Sequence, residues 1–128
     1  MEACFLTITT IADGCEHHSS YEGKFHLFVD GAEMEYRDGQ ATVCMALHKG
    51  TLTVERRGDY TLSLMCENGK LHKGSIGIGG AEGEVFTQTE KLTYSIKEHS
   101  LLLLVEYELI VSGEAQKMKL RLHAKRKE

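Results

Sequence analysis

Apolar and polar residues alternate along this chain with a period of two, and the alternation keeps its phase through successive turns. Hairpin signals occur at Asp30-Gly31, Asp38-Gly39, Lys49-Gly50, His99-Ser100 and Gly113-Glu114. When each is read as a two-residue loop, apolar residues face apolar residues across it. Leu27 meets Met34, Leu47 meets Leu52, Met45 meets Val54, Leu92 meets Tyr107 and Leu109 meets Met118. A slip of one residue at any turn would send a whole apolar set to the wrong face. The pattern therefore predicts an antiparallel meander.

Strand segments are predicted at about 4–11, 21–29, 33–37, 41–48, 51–56, 60–66, 70–78, 84–89, 91–98, 101–112 and 115–124, with no helix of usual length. The last pair is the most regular. Leu101, Leu103, Val105, Tyr107, Leu109 and Val111 share one face, and Met118, Leu120, Leu122 and Ala124 answer them. Lys117, Lys119, Arg121 and His123 then face water.

Two stretches break the phase. Around Arg56-Arg57-Gly58-Asp59, a three-residue loop 56–58 would set Val54 against Tyr60 and Leu52 against Leu62, with Gly58 in the left-handed region. Between Leu71 and Glu84 the phase shifts across Gly74, and Gly77, Gly79, Gly80 and Gly83 follow. Glycine at that density predicts bulges or a sharp corner, in the least regular and most mobile part of the sheet. A long meander with one apolar face hides that face and its edges by closing on itself. The expected fold is all-β: a single antiparallel meander β-barrel of about eight to ten strands over residues 1–128.

The run Arg56-Arg57-Gly58-Asp59-Tyr60-Thr61-Leu62-Ser63-Leu64, the glycine-rich segment leading to Thr89 and Leu92, and Tyr107-Glu108-Leu109 resemble the YwiB-like proteins. The likeness runs from about residue 4 to 124. It implies a calycin-like, lipocalin-type barrel found in bacterial cytoplasm, with no established activity and no catalytic motif to carry over. The chain departs from that pattern at Ser75-Ile76-Gly77, and it has no tryptophan for the Gly-x-Trp of true lipocalins.

Composition narrows the rest. The chain has 128 residues, 41% hydrophobic and 27% charged, with no proline and thirteen glycines. That is one soluble globular domain. Its longest apolar run, Leu101 to Val105, cannot span a bilayer, and its first residues lack a signal-peptide layout. A cytoplasmic protein is expected, with Cys4, Cys15, Cys44 and Cys66 as free thiols. The net charge of −4 argues against nucleic acid and against anionic membrane. Eight acidic and two basic residues lie within 1–39, but six basic and one acidic within 115–128, so self-association as a homodimer is open to the chain.

For chemistry, all five tyrosines share the phase of their strands' apolar residues and should point inward. Arg56, Tyr60, Tyr94 and Tyr107 are the candidate ligand-binding set: phenols to orient a carboxylate or carbonyl, and a guanidinium to anchor it. The structural alternative is tyrosines bonded to backbone carbonyls and a solvated Arg56. No catalytic or metal site is expected. Cys15-Glu16-His17-His18 clusters in what reads as a loop, without a second half at zinc spacing. Glu106 and Glu108 lie on the outer face, expected to pair with Lys119 and Arg121. The basic end Lys125-Arg126-Lys127 reads as a frayed terminus. No cofactor motif appears. The expected function is non-enzymatic binding of a small, partly apolar ligand in the barrel interior. The alternative is an interaction or assembly module with a filled core.

Overall fold

The computed structural model describes residues 1–128, and every element in it is a strand. The order is β1 (Glu2–Ala12), β2 (Cys15–Phe28), β3 (Gly31–Asp38), β4 (Ala41–His48), β5 (Thr51–Arg57), β6 (Tyr60–Glu67), β7 (Leu71–Ile78), β8 (Ala81–Ile96), β9 (Ser100–Val111) and β10 (Glu114–Arg126). Each strand pairs antiparallel with the next, and β1 pairs with β10 as well as β2, so the meander closes into a barrel. The turns 13–14, 39–40, 58–59, 79–80 and 112–113 gather at one end. The other turns gather with both termini at the opposite end.

Alternation does what its phase predicts. Leu101, Leu103, Val105, Leu122 and Ala124 are completely buried, whereas Lys119, Arg121, His123 and Lys125 are exposed. Burying each large aliphatic side chain contributes roughly 1.5–3 kcal/mol, so these two strands anchor the core.

The phase is right at all five hairpins, but the register is right at one. Leu47↔Leu52 and Met45↔Val54 stand opposite, as read around Lys49-Gly50. Elsewhere the partners lie two residues away from the expected ones. Leu27 faces Ala32, Phe25 faces Met34, Leu92 faces Val105 and Tyr107 faces Met118. The loops are Val29-Asp30, Gly39-Gln40, Glu98-His99 and Ser112-Gly113. A shift of two returns every side chain to its original face, so apolar matching does not detect it. The backbone does: Ser112 and Gly113 both have positive φ (52° and 79°), as the two central residues of a type I′ turn must.

Four further expectations are corrected. Residues 13–20 are not a loop: Asp13-Gly14 makes a tight turn and β2 begins at Cys15. Segments 84–89 and 91–98 are one strand, interrupted by a bulge between Thr89 and Lys91. At 56–59, Val54 faces Leu64 and Leu52 faces Cys66, and Gly58 lacks a positive φ. What demands glycine there is proximity, since a Cβ at Gly58 would lie 2.7 Å from Ala41 Cβ. The chain end is not frayed: Lys127 N–H donates to Ala3 O at 2.9 Å and its Nζ reaches Glu22 at 3.3 Å.

The glycine-rich stretch is more regular than expected, with eight consecutive β7–β8 pairs around a Gly79-Gly80 turn. The predicted corner is real, however. Strands β6 and β7 pair over only four positions, Tyr60↔Ile78 to Ser63↔Ser75. Below these, β6 closes on β8 instead. The Thr87 hydroxyl donates to Met65 O, and the Thr89 hydroxyl accepts from Glu67 N–H at 3.2 Å. Thr87 and Thr89 are the two buried polar residues of the chain, and their hydroxyls replace ladder partners that β7 does not supply. Asn68 completes the closure, bonding both the N–H and the C=O of Leu92 at 2.6 and 2.9 Å. Gly74 permits it, because a Cβ there would lie 2.1 Å from Ser63 O.

Candidate functional site

The structure does not bring the four expected ligand-binding residues together. Arg56 and Tyr60 meet at the end holding turn 58–59. The Arg56 guanidinium lies 3.8 Å over the Tyr60 ring, donates to Tyr60 O at 2.9 Å and to Asp59 Oδ1 at 2.9 Å. That hydrogen bond holds the Asp59 carboxyl below the usual carboxylate range. Arg56 is thus committed to its own turn. Tyr94 is at the opposite end, where its hydroxyl donates to Asp30 Oδ1 at 2.5 Å and raises its pKa. Tyr107 packs against the core, and burial pushes its pKa up to about 12.

The interior is occupied by side chains. Eighteen buried residues form one continuous core, from Cys4, Leu6 and Phe25 through Met34, Leu47 and Leu52 to Leu103, Val105 and Leu122. The inward tyrosines belong to this packing: the Tyr21 and Tyr36 rings lie with centroids 4.6 Å apart and planes tilted by 33°, and burial raises the Tyr36 pKa. The same apolar faces that specify the barrel also pack its interior. At the corner β6 is drawn against β8 by the Thr87 and Thr89 hydroxyls.

A concavity that combines cations, hydroxyls and apolar surface lies on the outside, on the face of β8, β9, β10 and β1. It is a trough of about 500 Å³ lined by Thr7, Thr9, Ser95, Lys97, Ser100, Leu102, Arg121 and His123. A second hollow of about 490 Å³ continues it along the same face through Thr93, Leu104 and Lys119, sharing Ser95, Leu102 and Arg121, and Tyr94 of the expected ligand-binding set also lines it. Alternation explains the composition, since the lining residues of β1, β9 and β10 are all at outward positions of their strands. Cross-strand register explains the arrangement. Thr9, Arg121, Leu104 and Thr93 form one row across the sheet, and Thr7, His123, Leu102 and Ser95 the next. Leu102 is 42% exposed, an apolar floor between cations and hydroxyls.

Register also decides which cations are neutralised. Glu106 stands opposite Lys119 and pairs with it at 3.7 Å, while Glu108 stands opposite Lys117. The expected partnership with Arg121 does not form. Arg121, Lys97, His123 and Lys125 have no carboxylate within ion-pair distance.

Elsewhere the chemistry is dispersed. Strand alternation puts Cys15 and His17 on one side of β2, Glu16 and His18 on the other. His18 bonds Thr9 at 3.0 Å and lies 3.4 Å from Glu16. No three His, Cys, Asp or Glu side chains converge in a metal-binding group. Thr7, Thr9, Ser95 and Leu102 were missed by sequence reasoning because each is an ordinary outward strand residue. Only the correct register places them around Arg121.

A family model described as a domain of unknown function, DUF1934, matches residues 12–122. The chain belongs to the DUF1934 family. Among solved structures, the ywiB protein from Bacillus subtilis matches with a TM-score of 0.83, covering 99% of this chain and 93% of that one at 13% identity. The DUF1934 barrel thus confirms the YwiB-like resemblance read from the sequence, and at that identity the likeness speaks for fold alone. No curated protein matches.

Proposed function

We propose that this DUF1934 barrel is a non-catalytic cytoplasmic binding protein that holds a small, partly apolar molecule in the outer trough of β8, β9, β10 and β1. The observation that carries this reading is the trough itself: about 500 Å³ of concave space with an exposed Leu102 floor among hydroxyls and cations. Ligand pockets usually measure roughly 300–1,000 Å³ and combine apolar surface with a few placed polar groups. The filled core supports an outer site over an inner one. The charges along the outward positions of β10 favour an aqueous setting over lipid, whose barrels present an apolar band.

Native mass spectrometry of protein purified from its own cells tests the reading. A bound mass that disappears in Leu102→Asp supports it. An unliganded mass, or a bound mass that survives Leu102→Asp, contradicts it.

One observation favours a second reading, assembly with another copy. Glu33, Glu35 and Glu55 occupy outward positions on β3 and β5, across the barrel from the Arg121 face. Opposed charge of this kind steers association and is screened by salt. A dimer mass that falls to monomer as ionic strength rises would favour this alternative.

A further inference from the structure

Within the trough the chemistry is one-sided, and that asymmetry selects a ligand class. Lys97, Arg121 and His123 line one concavity with Thr7, Thr9, Ser95 and Ser100, and no carboxylate lines it. The nearest acidic group along β9, Glu106, is already held by Lys119 at 3.7 Å. Arg121 instead faces Thr9 on one side and Leu104 on the other. A guanidinium beside neutral hydroxyls offers bidentate donors to a planar or tetrahedral anion, and the hydroxyls add further donors.

We propose that the trough takes a small organic anion, a phosphate monoester or a carboxylate on a short apolar chain. This inference rests on the trough being the ligand site. The anionic head lies between Arg121 and Lys97, and the apolar body lies along Leu102 towards Leu104. A cationic ligand meets only like charge there. A neutral apolar one leaves the donors of Lys97 and Arg121 unused, so it gains from Leu102 alone.

A macromolecular polyanion suits the surface less well. Outward positions 117 to 125 of β10 read Lys, Lys, Arg, His, Lys, which looks like a backbone-tracking stripe. Register shortens it, because Lys117 and Lys119 face Glu108 and Glu106. Only Arg121, His123 and Lys125 remain of the row, and two of these line the concavity with Lys97, on a chain whose net charge is −4. Phosphate-tracking surfaces need an extended row of free charges.

The test is calorimetric titration of the full chain with hexyl phosphate, hexanoate, hexanol, hexylammonium and a ten-nucleotide single-stranded RNA. The variants are Arg121→Gln, Leu102→Asp, Lys117→Gln and Arg37→Gln. Arg37 is an exposed cation on β3, so it controls for net charge. Each variant is an exposed position, and its melting curve verifies folding. The expected result is binding of hexyl phosphate or hexanoate, with hexanol and hexylammonium undetected. Arg121→Gln weakens the anion by about tenfold to a hundredfold, as loss of a charge-assisted bond should, and Arg37→Gln leaves it unchanged. The two anions, tested separately, distinguish phosphate from carboxylate.

Hexanol binding as tightly as the anions, and lost in Leu102→Asp, would overturn the anion assignment while leaving the trough as the site. No binding by any probe, or binding indifferent to both Arg121→Gln and Leu102→Asp, would overturn both. RNA binding tighter than either anion and weakened by Lys117→Gln would replace the small anion with a polyanion.

Discussion

Arg121 on β10 stands opposite Leu104 on β9, two pairs along from the Lys119–Glu106 ion pair and on the same face. Had the β9–β10 hairpin turned at Gly113-Glu114, Arg121 would have faced Glu106 and the trough would carry no free guanidinium. It turns at Ser112-Gly113 instead. The charge character of the candidate site is therefore set by a turn at the far end of the two strands.

The corner at β7 depends on two threonine hydroxyls. Thr87→Val should destabilise the barrel by about 1–3 kcal/mol, because Met65 O loses its buried donor while side-chain volume is nearly kept. Thr87→Ser retains the hydroxyl and should recover part of that loss. Equilibrium urea denaturation measures both, and a valine variant as stable as the parent would remove the hydroxyl from the account of the corner.

Stability should fall at alkaline pH through the buried phenols. Burial raises Tyr107 to about 12, against an ordinary phenol near 10, so the folded state keeps a proton that the unfolded chain releases. The contribution is complete below about pH 10 and is lost as pH rises towards 12, on the order of 2 kcal/mol for this group. Burial raises Tyr36 as well. Urea midpoints measured from pH 8 to 11.5 should drop above pH 10, and Tyr107→Phe should drop less steeply. An equal slope in the variant would contradict the assignment.

Thiol reactivity should not follow exposure alone. Cys4 and Cys66 are buried and Cys15 and Cys44 exposed. Partial desolvation, with Glu35 and Glu55 on either side, raises the Cys44 pKa and lowers its thiolate fraction at a given pH. Labelling at pH 8 should modify Cys15 first and Cys44 more slowly, and Glu35→Gln should speed Cys44. Cys44 reacting as fast as Cys15, with no response to Glu35→Gln, would contradict this.

What was legible in the sequence was phase. Leu101, Leu103 and Val105 announce a buried face by alternation, and a closed barrel follows from hiding it. Register was not legible from apolar matching, which is blind to shifts of two. A backbone rule would have helped: glycine takes the second position of the type I′ loops at Asp13-Gly14, Lys49-Gly50 and Ser112-Gly113. Gly31 defeats that rule, since it opens β3 where a Cβ would lie 2.3 Å from Leu47 O. The site was illegible for a related reason. Arg56 and the tyrosines stand out by residue type, but the structure places Arg56 in its own turn, Tyr107 against the core and Tyr94 beside the second hollow. Thr7, Ser95 and Leu102 stand out only once four strands are aligned.

The central claim is that ligand lies outside this barrel, and strand β9 provides its own control. Leu102 and Leu104 point outward while Leu103 and Val105, between and beyond them, point into the core. Intermolecular nuclear Overhauser effects from bound hexyl phosphate to leucine and valine methyls read the two faces separately. The account predicts effects to Leu102 and Leu104 and none to Leu103 or Val105. Effects to Leu103 and Val105 would put the ligand inside and contradict it.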